Sequence, residues 1–516
     1  MRTPRCTGSA VRSSQIDDRR VAAGSANEIL QHEDGTPLSV DSVEVTKQER
    51  PLCVDLDGTL IKSDTLLDAL CQLARHRPLQ IWRVPLWLMS GRAHLKAEVA
   101  RRAPLDASFL PYNIALLRFL QSQKRESRLM YLVTGADAGQ AERVAAHVGV
   151  FQEVLGTDGK TNLTHARKLA RLKARFDDFD YVGNARADLP VLAGAHQAMV
   201  ANPTLGLRVG LRLRHIPVAR SFVDRRPALQ AAFKAIRTHQ WAKNFLLAVP
   251  LLLSHKFSSA SVGAAVAAFF CFSFAASANY LINDLLDIDN DRRHPGKRLR
   301  PFAAGDFSVT GGVALAAVLF LGSATLLPLL PGAFALWLGG YIAATLTYSL
   351  YLKRVAVVDV LLLSGLYTLR LLAGGAATGT EISHWLAGFS TFLFLSLAMV
   401  KRFSEIENVK ERGATAARGR GYLVADLEQI RSFGTASAYA AVVVFMLYIA
   451  RPDVTDLYRH AGRLWLIVPL LIYWLNRVWL MASRGELDED PVVFAMRDPT
   501  SLAVGLAVAA VALLAI

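Results

Sequence analysis

Asn283-Asp284-Leu285-Leu286-Asp287-Ile288-Asp289-Asn290-Asp291 follows directly on a long apolar run. Asp284, Asp287 and Asp291 are spaced three and four apart, which on a helix sets them on one face, one above another. Left alone they repel. With Mg2+ they become a hard-oxygen site able to hold a diphosphate. Arg292, Arg293, Lys297, Arg298 and Arg300 come next. Carboxylates followed by cations, beside a membrane, suit a metal-bound pyrophosphate. The bland alternative, a solvated loop between two helices, gives the acidic cluster no structural use.

The 516-residue chain has two unlike parts behind its 52% hydrophobic content. Residues 1–240 are mixed and charged. Residues 241–516 are mostly apolar runs and read as an integral membrane domain. From Trp241 nine candidate spans follow, at 242–257, 261–282, 309–331, 332–352, 357–379, 383–400, 427–450, 463–480 and 499–516. Each approaches the ~20 apolar residues that cross a bilayer, although Pro250 interrupts the first. If the N-terminal part is cytoplasmic, the loops on its side hold sixteen Lys and Arg against four on the other. The positive-inside rule therefore favours a cytoplasmic N-terminal part and acidic cluster in a plasma (inner) membrane protein. An odd number of spans puts the C-terminus outside.

The net charge of +15 does not point to nucleic acid. The basic residues of the second half sit between spans, with no aromatic-basic platform, so topology and phosphate binding account for them. Cys6, Cys53, Cys71 and Cys271 form no CxxC pair and no zinc spacing, which favours a reducing compartment. Residues 1–48 are polar without an apolar core, and are expected to be a disordered lead-in rather than a signal peptide.

Residues 49–220 alternate short strand-like runs (Pro51–Val54, Leu129–Val133, Tyr181–Val182) with helical stretches (Asp64–Arg77, Ala93–Arg102, Asn113–Gln123, Gln140–Val148, Thr164–Arg175). That rhythm predicts an α/β domain on a parallel sheet. Residues 221–240 are expected to be a basic linker and surface helix. Cys53-Val54-Asp55-Leu56-Asp57-Gly58-Thr59-Leu60 delivers two carboxylates to the carboxyl edge of the sheet, where α/β ligands bind. Asp55 can attack phosphorus and Asp57 can protonate the leaving oxygen. Gly58 permits the turn, and Thr59 is expected to help position Asp57. Thr134 ends a second strand and can hold a phosphate oxygen. Lys168 can neutralise the transferring phosphoryl, and Asp188 can complete a Mg2+ site with Asp55 and Asp57.

These residues resemble the haloacid dehalogenase (HAD) phosphatase superfamily over about 170 residues of the chain. The resemblance implies a Rossmann-like domain, with residues 64–115 as a small helical cap. Asn184 departs from the pattern: many members carry Asp there, so one metal carboxylate is missing and an inactive pseudophosphatase is a live alternative.

The segment Asn279 to Arg292, with its NDxxDxxxD core, and the run of spans resemble the UbiA superfamily of intramembrane prenyltransferases. The likeness implies a multi-pass helical bundle in which two Asp-rich motifs hold Mg2+-diphosphate at the cytoplasmic mouth. The second motif departs: Val400-Lys401-Arg402-Phe403-Ser404-Glu405-Ile406-Glu407 puts two cations where carboxylates are expected. Lys and Arg there suit a second phosphate group. Lys243 in the Gln240-Trp241-Ala242-Lys243-Asn244 opening is expected at the same mouth. Lys353 and Arg354 close the fourth span, Asp359 starts the fifth, and Arg370 lies inside it, where an ionisable residue defaults to a functional hypothesis. Tyr348, Tyr351 and Tyr367 are candidate substrate contacts, although interfacial anchoring explains any one of them.

Together these motifs resemble the decaprenyl-phosphate phosphoribosyltransferase subgroup. The resemblance implies phosphoribosyl pyrophosphate as donor, a polyprenyl phosphate as acceptor and pyrophosphate as leaving group. On that reading Asp284, Asp287 and Asp291, with Asn283, hold Mg2+-pyrophosphate. Arg292, Lys297, Arg298 and Arg300 grip the donor, and Lys243, Lys353, Arg370, Lys401, Arg402, Asp359, Glu405 and Tyr348 line the site. The HAD-like domain is then expected to remove the 5-phosphate of the product. Two alternatives remain: a conventional prenyltransferase acting on an aromatic acceptor, and a membrane scaffold carrying a pseudophosphatase.

Overall fold

Strands Leu52–Val54 (β1), Met130–Asp137 (β2), Glu153–Thr157 (β3), Asp180–Gly183 (β4), Ala198–Ala201 (β5) and Val218–Phe222 (β6) form one sheet in the computed structural model. The model describes residues 50–516 except 160–162, 164–165, 256, 412, 414–420 and 488–490. The expected disordered lead-in at 1–48, and the first two residues of the helix expected at 164, lie outside the described residues.

All six strands are parallel, in the order β3-β2-β1-β4-β5-β6. The chain builds outward from β1 on one side and then crosses to β4 on the other. The carboxyl edge between β1 and β4 is therefore the switch point where such sheets bind ligands. The central strands are buried on both faces: Leu52 and Val54 enter one apolar cluster and Cys53 the opposite one. β3, β5 and β6 were not anticipated. β6 takes in Ser221 and Phe222, so the sheet runs two residues past the expected boundary, and Ala228–Ile236 supplies the surface helix.

Helix α1 (Thr65–His76) starts where the Asp64 side chain accepts the Leu67 N–H (3.0 Å) and ends on Arg75 and His76, which complement the helix dipole. It opens the expected helical cap. Cys71 on α1 packs against a membrane-domain cluster containing Leu281, Leu285 and Ile288. Residues Glu49–Ile516 accordingly form one compact unit.

The membrane domain contains seven helices long and apolar enough to cross a bilayer, among the described residues. Their cores are Ser259–Leu286 (α2), Val309–Leu326 (α3), Gly332–Leu350 (α4), Val358–Thr378 (α5), His384–Glu411 (α6), Leu427–Ile449 (α7) and Ile467–Ser483 (α8). The first and ninth expected spans differ from a full crossing helix. Thr238–Ala248 is a 3-10 helix followed by one short α-helix, Val249–Ser254, with Pro250 near its start and His255 at φ 53° ending it. The ninth, Pro499–Ala515 (α9), is 17 residues long.

Gly374 on α5 lies against the 3-10 segment so closely that a Cβ would stand 2.2 Å from the Leu247 carbonyl oxygen. Backbone cannot yield as a side-chain tip can. Gly374→Leu is expected to cost about 1–3 kcal/mol, read as a lower thermal midpoint of the purified protein; an unchanged midpoint would show that this contact does not set the packing.

Two candidate active sites facing one domain boundary

In the N-terminal domain, β1 hands the chain to Asp55, whose N–H donates to the Val182 carbonyl at 3.0 Å. Gly58 turns the chain at φ 75°, and a Cβ there would stand 1.9 Å from Asn184 Nδ2. The Asn184 amide thus packs against the turn that presents the two aspartates. Thr59 Oγ1 donates to Asp55 Oδ2 (3.1 Å), so it orients Asp55 rather than Asp57, contrary to expectation. Asp57 Oδ1 instead accepts the Thr65 N–H at 2.8 Å, at the N-terminus of α1.

Lys168 Nζ reaches Asp55 Oδ1 at 2.7 Å, the Tyr181 hydroxyl at 2.7 Å and Asp188 Oδ1 at 3.4 Å. Tyr181 OH donates to Asp188 Oδ1 (2.9 Å), and the N–H groups of Asn184 and Ala185 donate to Asp188 Oδ2. Burial pushes the Asp55 carboxyl up to about 6, with Asp188 adding to the effect and Lys168 opposing it. Burial, then the Asp64 charge, pushes Asp57 well above the usual carboxylate range. The pair is therefore differentiated into a cation-paired nucleophile candidate and a proton-holding neighbour. For Lys168, burial pulls the ammonium down, but Asp55 and Asp188 together outweigh it and the net shift is upward.

Thr134 lines the same cavity, its Oγ1 accepting the Ala136 N–H at 3.0 Å. Tyr181 and Lys96 were not anticipated. Tyr181 sits on β4 just before the Gly183-Asn184 turn, and Lys96 reaches in from the cap helix to the Gly135 carbonyl. This cavity, about 440 Å3, carries Asp55, Asp57 and Lys168. Phe302 and Phe307, in the loop before membrane helix α3, and Thr310, in its first turn, also line it.

The acidic ladder of the membrane domain is not one straight helix. α2 ends at Leu286, Asp287 is its C-cap, and Ile288–Arg293 starts a new turn. Helical hydrogen bonds still bridge the joint, from Asp287 N–H to Asn283 O (3.0 Å) and from Asp291 N–H to Asp287 O (2.8 Å). Asp284 and Asp291 share Arg300, at 3.1 and 2.8 Å. Arg237 holds both oxygens of Asp284 at 2.6 Å. Asp287 turns aside to Lys353 and, at 3.4 Å, to Arg75 of α1. Burial, with Asp284 adding, pushes Asp291 up to about 6 against the pull of Arg300.

Among the described residues no three His, Cys, Asp or Glu side chains already form a metal-holding group. Lys and Arg occupy the carboxylates instead. The donor chemistry nonetheless fits a hard cation. Asp287 Oδ1 is buried and accepts no hydrogen bond, and the Asn279 amide, two turns earlier on the same stripe, is buried with both polar atoms unpartnered. In the N-terminal site Asp55 and Asp188 converge on one ammonium, a donor pair that a divalent cation would also suit.

A cavity of about 510 Å3 opens beside the ladder. Lys234, Arg237, Lys243, Arg300, Lys401 and Arg402 line it, with Asp284 as the one carboxylate among the described residues and Tyr280, Tyr348 and Tyr367 as aromatic walls. Lys243 lies 5.4 Å from the Tyr367 ring centre. Arg402 is buried, with Nε 2.5 Å from Asp359 Oδ2 and a bond to Glu405, and it donates to the Tyr348 hydroxyl at 3.1 Å. Tyr422 OH donates to Asp359 Oδ1 (2.6 Å) and receives the N–H of Val357, a β-branched residue held at φ 68°.

Asp359 and Glu405 thus serve as counter-ions that aim Arg402, and neither lines the cavity. Arg370 lies within the bundle, donating to Asn244 Oδ1 (3.0 Å), Leu366 O (2.7 Å) and Tyr341 OH (3.1 Å), also away from the lining. Arg292 pairs with Asp68 of α1 at 2.8 Å and donates to Ala303 O, so it ties the domains together. Asn283, Lys297, Arg298 and Lys353 are outside the lining as well. Conversely, Arg237, His239, Gln240 and Lys234 line it unanticipated; their signal was a dense basic run just before the first apolar stretch. A second, apolar groove of about 340 Å3, walled by Phe245, Leu246, Val249, Leu252 and Phe394, meets the charged cavity at Lys243 and Val492.

Residues 245–514 match the UbiA prenyltransferase family. Over 483 residues, 92% of each chain, the protein is 37% identical to Uncharacterized protein y4nM of Sinorhizobium fredii. Nodulation protein NoeC of Azorhizobium caulinodans is 34% identical over 52% of this chain and 88% of its own length. Decaprenyl-phosphate phosphoribosyltransferase of Mycobacterium tuberculosis is 33% identical over 51% of this chain and 87% of its own length. The N-terminal α/β domain sets Asp55-x-Asp57 at the carboxyl edge of a parallel sheet, and the chain belongs to the UbiA prenyltransferase family.

Proposed function

We propose that the membrane domain transfers the 5-phosphoribosyl group of phosphoribosyl pyrophosphate to a polyprenyl phosphate, and that the N-terminal domain then removes the 5-phosphate. The observation that carries this reading is the charge of the cavity: among the described residues, six cationic side chains line it against one carboxylate. A prenyl diphosphate and an uncharged aromatic acceptor would bring one phosphate cluster. A donor carrying a pyrophosphate and a 5-phosphate, meeting a lipid phosphate, brings three.

In the transfer, an oxygen of the lipid phosphate bonds to ribose C1 while the C1–O bond to pyrophosphate breaks, the electron pair leaving with pyrophosphate. Arg300 and Arg237 sit where they can bind the donor's phosphates. Lys401 and Arg402 line the same cavity and suit the acceptor phosphate. The apolar groove beside Lys243 is chemically suited to the first isoprene units. Asp284, Asp287 and Asp291 would hold Mg2+, which supplies charge neutralisation for the departing pyrophosphate. In the N-terminal site Asp55 would attack the 5-phosphate while Asp57 protonates the leaving ribose oxygen, and water would release phosphate from Asp55. The wall that Phe302, Phe307 and Thr310 give this cavity favours a substrate presented at the membrane. The loop charges favour a plasma membrane setting with both sites on the cytoplasmic side.

Purified protein given phosphoribosyl pyrophosphate, a polyprenyl phosphate and Mg2+ is expected to release pyrophosphate and form a ribosylated lipid; transfer of a prenyl group to an aromatic acid instead would refute the reading. Asp287→Asn is expected to lower turnover by about 100-fold or more. Lys401→Ala is expected to raise KM for the lipid phosphate about tenfold with a smaller effect on the donor. Asp55→Asn is expected to leave the product carrying its 5-phosphate, seen by mass spectrometry of the lipid. Loss of that phosphate at the wild-type rate would remove the N-terminal domain from the pathway.

A further inference from the structure

One helix touches both candidate sites. At its first residue, the Thr65 N–H of α1 holds Asp57 Oδ1 at 2.8 Å. Ten residues on, Arg75 leaves the N-terminal domain altogether. Its guanidinium donates to the carbonyls of Ser349 and Leu350 (3.1 Å to the latter), at the end of α4, and its Nε stands 3.4 Å from Asp287 Oδ1. Arg75 is 6% exposed and Asp287 8% exposed. Lys353 takes the other Asp287 oxygen. One carboxylate of the acidic ladder is therefore clamped by a cation from each domain.

The clamp's setting separates it from an ordinary domain contact. α1 and the ladder meet through two buried pairs of opposite sense: Asp68 with Arg292 at 2.8 Å, and Arg75 with Asp287. Only the second engages a ladder carboxylate. Asp287 is also the residue at which α2 stops, although its N–H and its carbonyl keep helical hydrogen bonds across the joint. A guanidinium fixed through Nη1 to two helix-end carbonyls is a stationary charge beside that carboxylate, paired with it at 3.4 Å without a hydrogen bond.

We infer that Arg75, supplied by the N-terminal domain, is a positioning residue of the transferase site: it holds Asp287 in the orientation that transfer requires, so the phosphatase-like domain is a working part of the transferase. The inference rests on the transferase reading of the ladder.

The test uses the full chain in lipid nanodiscs, as wild type, Arg75→Ala, Arg75→Lys and Asp68→Asn. Two measurements are made: steady-state phosphoribosyl transfer, and backbone hydrogen exchange of residues 284–293 without substrate. Arg75→Ala is expected to lower kcat about tenfold with donor KM changed by less than about threefold, and to speed exchange. Arg75→Lys restores part of kcat, and Asp68→Asn retains more kcat than Arg75→Ala does. Wild-type kcat or unchanged exchange in Arg75→Ala overturns the inference. An equal kcat loss in Asp68→Asn also overturns it, because Arg75 would then be a domain tie only. If the wild-type chain forms no ribosylated lipid, the phosphoribosyl reading falls, while the exchange comparison between Arg75→Ala and Asp68→Asn still decides the role of Arg75.

Discussion

Three buried carboxylates at the end of a membrane helix are the constraint around which the molecule is arranged. Asp284, Asp287 and Asp291 cannot lie together in a poorly solvated place without compensation, and each has a cation: Arg237 and Arg300 on Asp284, Arg300 on Asp291, Lys353 and Arg75 on Asp287. The cations come from the segment before the first apolar stretch, the loop after the ladder, the end of α4 and the N-terminal domain. Meeting the charge of one short motif therefore brings four distant parts of the chain to one place. The same pairing leaves the cavity beside it strongly positive, since Lys243, Lys401 and Arg402 are further cations on its lining.

This arrangement has a chemical consequence. On the proposed reading, a phosphate-rich donor would compete with Asp284 and Asp291 for Arg300, and a divalent cation would compete with Arg300 for the carboxylates. Both exchanges would favour binding donor and cation together, because either alone would leave a buried charge short of a partner. At Arg402 the logic is different. Arg402 is fixed by Asp359, Glu405 and Tyr348, and Asp359 is held in turn by Tyr422. Arg402 is thereby tethered by three side chains, whereas Arg300 is partly exposed and shared between two carboxylates.

Reading the chain before seeing its fold recovered what is written in contiguous motifs. Asp55-x-Asp57, Lys168 and Asp188 converge because β1 and β4 are neighbours at the sheet's switch point. Asp284 of the acidic ladder and Lys401-Arg402 line one cavity, while Asp287 and Asp291 lie outside its lining. What stayed hidden depends on three-dimensional partnership. Asp359, Glu405, Arg292 and Arg370 are ionisable residues in or near apolar runs, and sequence alone cannot distinguish a counter-ion from a ligand. Arg237 opens the stretch that ends in Lys243 and Asn244, but only Lys243 was given a place at the mouth; a positive φ turns Arg237 onto Asp284. The short strands β3, β5 and β6 carry no motif at their ends, and β6 is largely exposed, so neither chemistry nor periodicity singled them out. The first apolar stretch satisfied a hydropathy count, yet Pro250 and the close approach of Gly374 to Leu247 accompany a 3-10 turn in place of a full span.

A structure of the full chain with phosphoribosyl pyrophosphate and Mg2+ bound would test the central claim most directly. The account predicts a cation on the acidic ladder bridging to the pyrophosphate, with Arg300 turned from Asp284 and Asp291 onto the donor. Pyrophosphate bound elsewhere, with Arg237 and Arg300 still closed on Asp284, would contradict it.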